Sequence, residues 1–471
     1  MAIKNRYELD PERLATTDEL GARVYLYPED IEGKWKSRRI VLYWFLIILY
    51  LSLPWINVKG RPALMLNIFT REFAFMGMTL HGVEPILIFL IVISGLFFMA
   101  FLTSIFGRVW CGWTCPQTVF IQTIFSKIET LIEGGARARR ALDESSWTPN
   151  KIMRRTLKWI CFTIVSFHIA HTFIGYFIGP RALLAITLHS PLENLGTFTA
   201  AMIMTSIFLL DFGWFREQFC IIACPYGRMQ SVMMDENSLV VAYDKKRGEP
   251  RRGLVPRELE GDCINDYACV RVCPTGIDIR RGTQMECIAC TACIDACDDI
   301  MDKVKKPHGL IRYSTETELI GKKHNFITTR SVLYFCIFLF FISAFGHFIV
   351  SLSKPALVFY RGTDSPFQVT MSPSAKKIIT NHFTLKITHQ GSESFNLKLE
   401  VSEESLRKKI EIISPLNNMK IEEPEIKTLV LFKFDPDILI NGSRAVKLNV
   451  IKNGITISTE NLVLIGPGLN Q

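Results

Sequence analysis

The chain has 471 residues, 49% of them hydrophobic, with a formal net charge of +9 and a positive mean hydropathy. That length gives room for two or three domains, and that composition is too apolar for an ordinary soluble protein. The positive charge gathers beside apolar stretches, so no nucleic-acid partner is needed to explain it.

Residues 1–39 read as a polar cytoplasmic lead without the short apolar region and cleavage site of a removable signal peptide. Five uncharged stretches follow: Ile40 to Val58, Pro85 to Phe106, Trp159 to Pro180, Leu195 to Leu210 and Ser331 to Ser353. They are read as long enough to cross a hydrocarbon core of roughly 30 Å, which takes about 20 helical residues. The fourth is the shortest and is closed by Asp211. Lys34 to Arg39 and the cations of the 107–155 connection, among them Arg108, Lys127, Arg139, Lys151 and Arg155, flank one set of ends. The connections at 59–82 and 181–194 carry only Lys59, Arg61, Arg71 and Arg181. This asymmetry predicts a cytoplasmic N-terminus and, with five spans, an external C-terminus.

All thirteen cysteines lie between Cys111 and Cys336, and the predicted external tail has none. A disulfide scaffold would show the opposite distribution, so metal or redox use is expected. Cys161 and Cys336 sit in apolar spans and read as small core side chains.

Two runs at the cytoplasmic ends of spans repeat a Cys-x3-Cys-Pro pattern: "RVWCGWTCPQTV" with Cys111 and Cys115, and "EQFCIIACPYGR" with Cys220 and Cys224. The paired thiols either share a helix face or cap a helix that Pro116 or Pro225 opens. Four thiols gathered at the membrane face suit Cu(I), a soft ion, or a dithiol/disulfide couple. His168 and His171, three apart in the third span, are candidates for a metal or a quinone head group, with buried hydrogen-bonded histidines as the plainer reading. Asp211 reads as a helix-end acid. Met76, Met78, Met202 and Met204 read as fillers of apolar helices rather than copper ligands.

The strongest signal is "CIACTACIDAC", which places Cys287, Cys290, Cys293 and Cys297 at Cys-x2-Cys-x2-Cys-x3-Cys spacing. In two-cluster ferredoxins three such thiolates hold one cluster and the fourth ligates the other. A tetrahedral zinc site needs only four ligands, and seven cysteines in two runs exceed that. The preceding run, "GDCINDYACVRVCPTGIDI", supplies Cys263, Asp266, Cys269 and Cys273 at the same offsets, with aspartate where the second cysteine belongs. Crossed ligation gives one cluster Cys273, Cys287, Cys290 and Cys293. The other receives Cys263, Cys269, Cys297 and Asp266. A carboxylate is a harder ligand than thiolate, so the second site is expected to hold an aspartate-ligated 4Fe-4S cluster with one labile iron, or a 3Fe-4S cluster. If Asp266 is only a loop acid, that cluster is lost.

Beyond the fifth span, runs such as "HFTLKITHQ", "FNLKLEVS", "KTLVLFKF" and "AVKLNVIKNGITI" alternate with period two between turn residues such as "QGSES" and "NGS". About seven short strands predict an immunoglobulin-like β-sandwich without its cysteine pair. The fold class is therefore a polytopic α-helical membrane protein of five spans, with an inserted two-cluster ferredoxin-like domain and a C-terminal immunoglobulin-like sandwich. The expected boundaries are 1–39 lead, 40–211 four spans, 212–330 ferredoxin-like domain, 331–353 fifth span and 354–471 external β-domain.

The span order, "RVWCGWTCPQTV", "ACPYGR" and the double ferredoxin run together resemble the cytochrome c oxidase accessory protein family of the FixG, RdxA and CcoG type. The resemblance covers nearly the whole chain, and the membrane core is also similar to proteins of nitrate and nitrous oxide respiration. It implies a place in the bacterial inner membrane, with the C-terminal domain periplasmic, and reduction of Cu(II) to Cu(I) for assembly of cbb3-type oxidase. It also implies copper as substrate at Cys111, Cys115, Cys220 and Cys224, beside two iron-sulfur clusters. Asp266 departs from the family pattern, which has cysteine there. Expected partners are oxidase subunits or copper-handling proteins, membrane lipid and an electron donor the sequence does not name, with a homo-oligomer left open. The alternatives are an electron carrier between the quinone pool and a respiratory enzyme, and an assembly scaffold with structural clusters.

Overall fold

The computed structural model describes residues 16–17, 20, 23–58, 61–68, 72–76, 78–81, 85–352, 356–361, 367–371, 377–388, 395–418, 420–421 and 425–467. Lys59, Arg71, the side chain of Met78 and the 390–394 turn lie outside the described residues. The chain forms two compact units, one centred on Phe89–Ile342 and the other on Ser343–Gln471.

Among the described residues four helices are long and apolar enough to cross a membrane: Ile86–Phe106, Pro149–Ile178, Leu195–Phe215 and Thr329–Val350. The expected first span differs. Its helix runs from Lys34 to Ser52 and stops before Pro54, which cannot continue the hydrogen-bond ladder, and Asn57–Val58 are already extended. The uncharged part, Ile40 to Ser52, rises only about 20 Å. Between this helix and the next, short strands Leu64–Asn67, Glu72–Phe75 and Met78–His81 form a three-stranded sheet whose last two strands are antiparallel. The fourth span reaches further than Leu210, because the Leu195–Phe208 helix widens into a π-turn over Leu209–Phe215 that takes in Asp211.

Proline sets several helix starts. Pro116, Pro149, Pro180 and Pro225 each stand in the first turn of their helices, where the missing N–H costs nothing. The Thr329–Leu352 helix meets its neighbour through ring pairs Phe97–Phe341, Phe98–Phe338 and Phe101–Phe335, while Leu333, Phe340 and Val350 remain exposed. Apolar surface of that extent is what lipid covers.

A buried charge cluster ties the span ends together in the first unit. Glu129 is 1% exposed and accepts from both Arg216 Nη1 at 2.9 Å and Arg139 Nη1 at 2.9 Å, with Arg216 Nη2 at 2.8 Å and Lys158 Nζ at 3.4 Å. Glu133, one turn on, pairs with Lys158 at 3.0 Å and Arg155 at 3.4 Å. Burial alone would push the Glu129 carboxyl up, but Arg216, Lys158 and Arg139 outweigh it and hold it down at about 2.

The second unit contains two antiparallel sheets around one core. The first sheet runs Ile410–Ile413, Glu425–Phe434, Lys377–Thr388, Ala356–Arg361, with Phe367–Met371 also on Lys377–Thr388. The second runs Lys420–Ile421, Phe395–Val401, Ser443–Lys452, Ile455–Ile465. Period two decides the faces: Phe395, Leu397, Leu399 and Val401 are buried and join Leu385, Val430, Phe432 and Leu448 in the shared core. Asn453 and Gly454, at φ 48 and 88, make the tight turn between the last two strands. Asn381, fully buried, clamps the sheets by exchanging hydrogen bonds with the backbone of Ile465 at 2.8 and 2.9 Å.

Candidate metal centres

The two ferredoxin runs share one backbone. Asn265 and Tyr267 adopt φ of 59 and 60 around Asp266, and Ala289 and Thr291 adopt 52 and 63 around Cys290. Left-handed conformations cost energy in non-glycine residues and cluster where the chain wraps a ligand. Short helices start directly after, Ala268–Arg271 and Ala292–Lys303, so Cys269 and Cys293 stand in equivalent first turns. Asp266 therefore occupies a cysteine-type position in conformation as well as in spacing.

Side chains sort as crossed ligation requires. Cys273, Cys287, Cys290 and Cys293 line one cavity, and Cys263, Asp266, Cys269 and Cys297 line the next, with Cys269 bordering both. Asp266 Oδ2 is buried without a hydrogen-bond partner, and its nearest cation, Arg271 Nη2, stands 3.8 Å away. An acceptor left orphaned beside three thiols fits a metal ligand. Burial pushes the thiols of Cys287 and Cys297 up to about 12 and that of Cys273 to about 11, so ligation must displace their protons. No three cysteine, histidine or acidic side chains among the described residues close on a single ion. Cubane ligands each reach a different iron and stand apart, so the eight residues fit clusters and not a mononuclear metal.

Arg280 was not anticipated from the sequence. It is 4% exposed, pairs with both oxygens of Asp278 at 2.8 Å and lies 4.2 Å from the Tyr267 ring centre, in the wall of the Asp266 cavity. The Asp-Ile-Arg spacing of the pair was the available signal.

At the membrane face the repeat is structural. Cys115 and Cys224 both adopt extended backbone, with ψ of 124 and 113, and cap helices opened by Pro116 and Pro225. The capping reading replaces the shared helix face. All four thiols lie within electrostatic reach of one another: Cys220 senses Cys115, Cys111 and Cys224. Burial first, then Cys115, raises Cys111 to about 12. They do not close on a single ion. Gln230, fully buried, sets its amide against Cys111 Sγ at 3.4 Å, and Gln117 donates to Asp211 at 2.8 Å.

This motif is pressed against the Cys287–Cys297 run. A β-carbon on Gly112 would fall 2.6 Å from the carbonyl oxygen of Ile288. Trp113 Nε1 donates to the Tyr313 hydroxyl at 3.0 Å, and that hydroxyl donates to Ala289 O at 3.3 Å. Arg108 reaches the carbonyls of Met285 and, at 3.4 Å, Cys287.

The remaining candidates stay apart. His168 is exposed, and His171 contacts Thr187 Oγ1 at 3.4 Å and stacks near Phe167. Met204 packs on the small core of Ile174, Leu183 and Ala201, while Met76 and Met202 are exposed.

The 4Fe-4S dicluster domain family matches residues 215–316, and a 4Fe-4S binding domain family matches residues 86–133. The chain is 38% identical to protein RdxA of Cereibacter sphaeroides over 62% of each chain. It is 35% identical to nitrogen fixation protein FixG of Rhizobium meliloti over 62% of this chain and 57% of that one. Protein RdxB of Cereibacter sphaeroides is 31% identical over 81% of this chain and 82% of its own length. The matched region thus spans less than two thirds of RdxA and FixG but most of RdxB. No solved structure matches. The chain carries 4Fe-4S domains, and it belongs to the FixG/RdxA-type family of membrane ferredoxin-like proteins.

Proposed function

We propose that the chain reduces Cu(II) to Cu(I) at Cys111, Cys115, Cys220 and Cys224, in the bacterial inner membrane, for assembly of cbb3-type cytochrome c oxidase. The observation that carries the reading is the backbone contact between Gly112, inside the first Cys-x3-Cys motif, and the Ile288–Ala289 turn between Cys287 and Cys290. When bound, the iron-sulfur clusters supply one electron at a time, the change that separates Cu(II) from Cu(I). Cys273, Cys287, Cys290 and Cys293 would hold one cluster, and Cys263, Asp266, Cys269 and Cys297 the other, as an aspartate-ligated 4Fe-4S or a 3Fe-4S cluster.

The membrane-face residues have distinct tasks. Burial raises the thiols of Cys111, Cys115 and Cys220, so each of these that binds Cu(I) as thiolate gives up a proton. Gln230 orients Cys111, and sulfur ligation favours the reduced ion over Cu(II). The Lys34–Ser52 helix serves as a further membrane crossing, which brings the count to five, with the N-terminus cytoplasmic. The second unit is read as a periplasmic immunoglobulin-like domain that meets oxidase subunits or copper-handling proteins.

The test is anaerobic titration of the dithionite-reduced, desalted protein with Cu(II). Cluster reoxidation, read as return of the visible absorbance that dithionite had bleached and matched by trapped Cu(I), is expected, and replacement of Cys111, Cys115, Cys220 and Cys224 by serine should abolish it while the EPR of the reduced clusters persists. Undiminished copper reduction in that variant rejects the reading. Quinone-linked cluster turnover that copper does not alter would favour the electron-carrier alternative.

A further inference from the structure

A cavity of about 420 Å³ lies where the basic start of the Lys34–Ser52 helix meets Phe215 and Arg216 at the end of the Leu195–Phe215 span. Six cationic side chains line it against three carboxylates. Lys36 is paired with Asp30, Glu29 with Arg271, and Arg139 and Arg216 with Glu129. Glu217, the third carboxylate, acts on Arg216 and Arg23 from beyond ion-pair distance, and Arg23, Arg39 and Lys127 have no carboxylate at ion-pair distance among the described residues. Arg39 is 6% exposed; one of its terminal nitrogens donates to Gln122, yet Nε finds no partner, and Arg23 Nε and Nη1 find none either. Buried guanidinium donors without acceptors are costly, and an anion offsets that cost.

The rim gives the anion's character. Lys127 Nζ lies 5.7 Å from the Trp44 ring centre and the Arg23 guanidinium 4.9 Å from that of Trp214, both indoles being about half exposed. Tryptophan beside a cation at a span end marks the boundary between hydrocarbon and water. From Trp44 an exposed apolar face continues along the helix through Val41, Phe45 and Ile48, each at least 60% exposed. A cation-lined cavity with an apolar track leading from its rim matches an amphiphile with a negative head.

We infer that the cavity binds the phosphate headgroup of an anionic glycerophospholipid through Arg23, Arg39 and Lys127, its acyl chains lying along the Val41–Ile48 face. A zwitterionic headgroup would add an ammonium to a space already rich in cations, and a soluble phosphate would leave the apolar face uncovered. Cys290 also lines the cavity, so the lipid charge sits beside a candidate cluster ligand.

The test is native mass spectrometry of the detergent-solubilised full chain with phosphatidylglycerol or phosphatidylcholine of matched acyl chains. Retention of phosphatidylglycerol should exceed that of phosphatidylcholine by roughly tenfold or more. The Arg39→Gln, Lys127→Gln double variant should bring the two close to parity while its cluster absorbance stays unchanged. Equal retention in the unaltered chain, or an undiminished preference in a folded double variant, overturns the inference. Displacement of phosphatidylglycerol by millimolar inorganic phosphate would assign the cations to free phosphate and overturn it too. Should the variant fail to fold, the headgroup comparison and the phosphate competition on the unaltered chain decide the matter.

Discussion

Gly112 stands in backbone contact with Ala289: a β-carbon at Gly112 would lie 2.5 Å from the Ala289 carbonyl oxygen. Neither side of that contact is a flexible side chain, so any larger residue must move one backbone away from the other. Gly112→Ala should destabilise the protein by roughly 1–3 kcal/mol, as overpacking does. The variant should also slow Cu(II) reduction on the order of ten- to a hundredfold, the scale of an ångström-sized misplacement. EPR of the reduced clusters should stay unaltered. Stopped-flow reoxidation by copper checks it, and an unchanged rate would make the contact one of packing alone.

Glu129 predicts an acid limit. Its carboxyl is held at about 2 in the fold against an ordinary value near 4.5. A depressed carboxylate stabilises fully above its unfolded value, and that stabilisation drains as pH falls from about 4.5 towards 2. The amount is on the order of 3 kcal/mol. Glu129→Gln leaves Arg216, Arg139 and Lys158 without their shared partner and should cost about 3–5 kcal/mol. Thermal unfolding in detergent between pH 6 and 3 should show a steep loss for the parent and a flatter profile for the variant.

The Glu129 cluster also shows where sequence reasoning runs out. Arg139, Lys151 and Arg155 read as free loop cations that orient the chain, yet Arg139 and Lys151 are buried, Arg139 and Arg155 pair with Glu129 and Glu133, and Lys151 caps the carbonyls of Asp143 and Ser145. Two acids one turn apart after an apolar run were the available hint. The cluster runs were legible because a cubane dictates the spacing of its ligands, and the strands because burial on one face imposes period two. The meeting of Gly112 with Ala289, 177 positions away, leaves no mark in local pattern. The end of the first apolar stretch was not legible, because an uncharged run need not be one helix: this one stops at Ser52, before Pro54.

Asp295 reaches from the Ala292–Lys303 helix to the first turn of the Lys34–Ser52 helix, accepting from the backbone N–H of Trp35 at 3.1 Å and of Lys36 at 2.8 Å. A carboxylate on two free helix-start donors does the work of an N-cap from a distant part of the chain, since Gly33 offers no side chain. Asp295→Ala should cost about 1–2 kcal/mol. Asp295→Asn, which keeps one acceptor, should recover part of it. Hydrogen exchange at residues 34–38 should rise in the alanine variant and stay low elsewhere in that helix; uniform exchange changes would mean the cap is not local.

Asp266 stands on the backbone that carries Cys290 in the other run, so the Asp266→Cys variant places a thiolate at that corner without rebuilding the loop. A softer fourth ligand should retain iron that the carboxylate holds weakly. The parent protein, oxidised after anaerobic purification, should therefore lose one iron of the Asp266 site to a chelator and show a 3Fe-4S EPR signal. Asp266→Cys should resist the chelator and suppress that signal. Asp266→Ala, with Cys263, Cys269 and Cys297 alone, should show the signal without any chelator. The cluster held by Cys273, Cys287, Cys290 and Cys293 serves as an internal reference and should not change. Identical iron-to-sulfide ratios and EPR spectra in all three proteins would mean that Asp266 is not a ligand, and the second cavity would then hold whatever three thiols alone can bind.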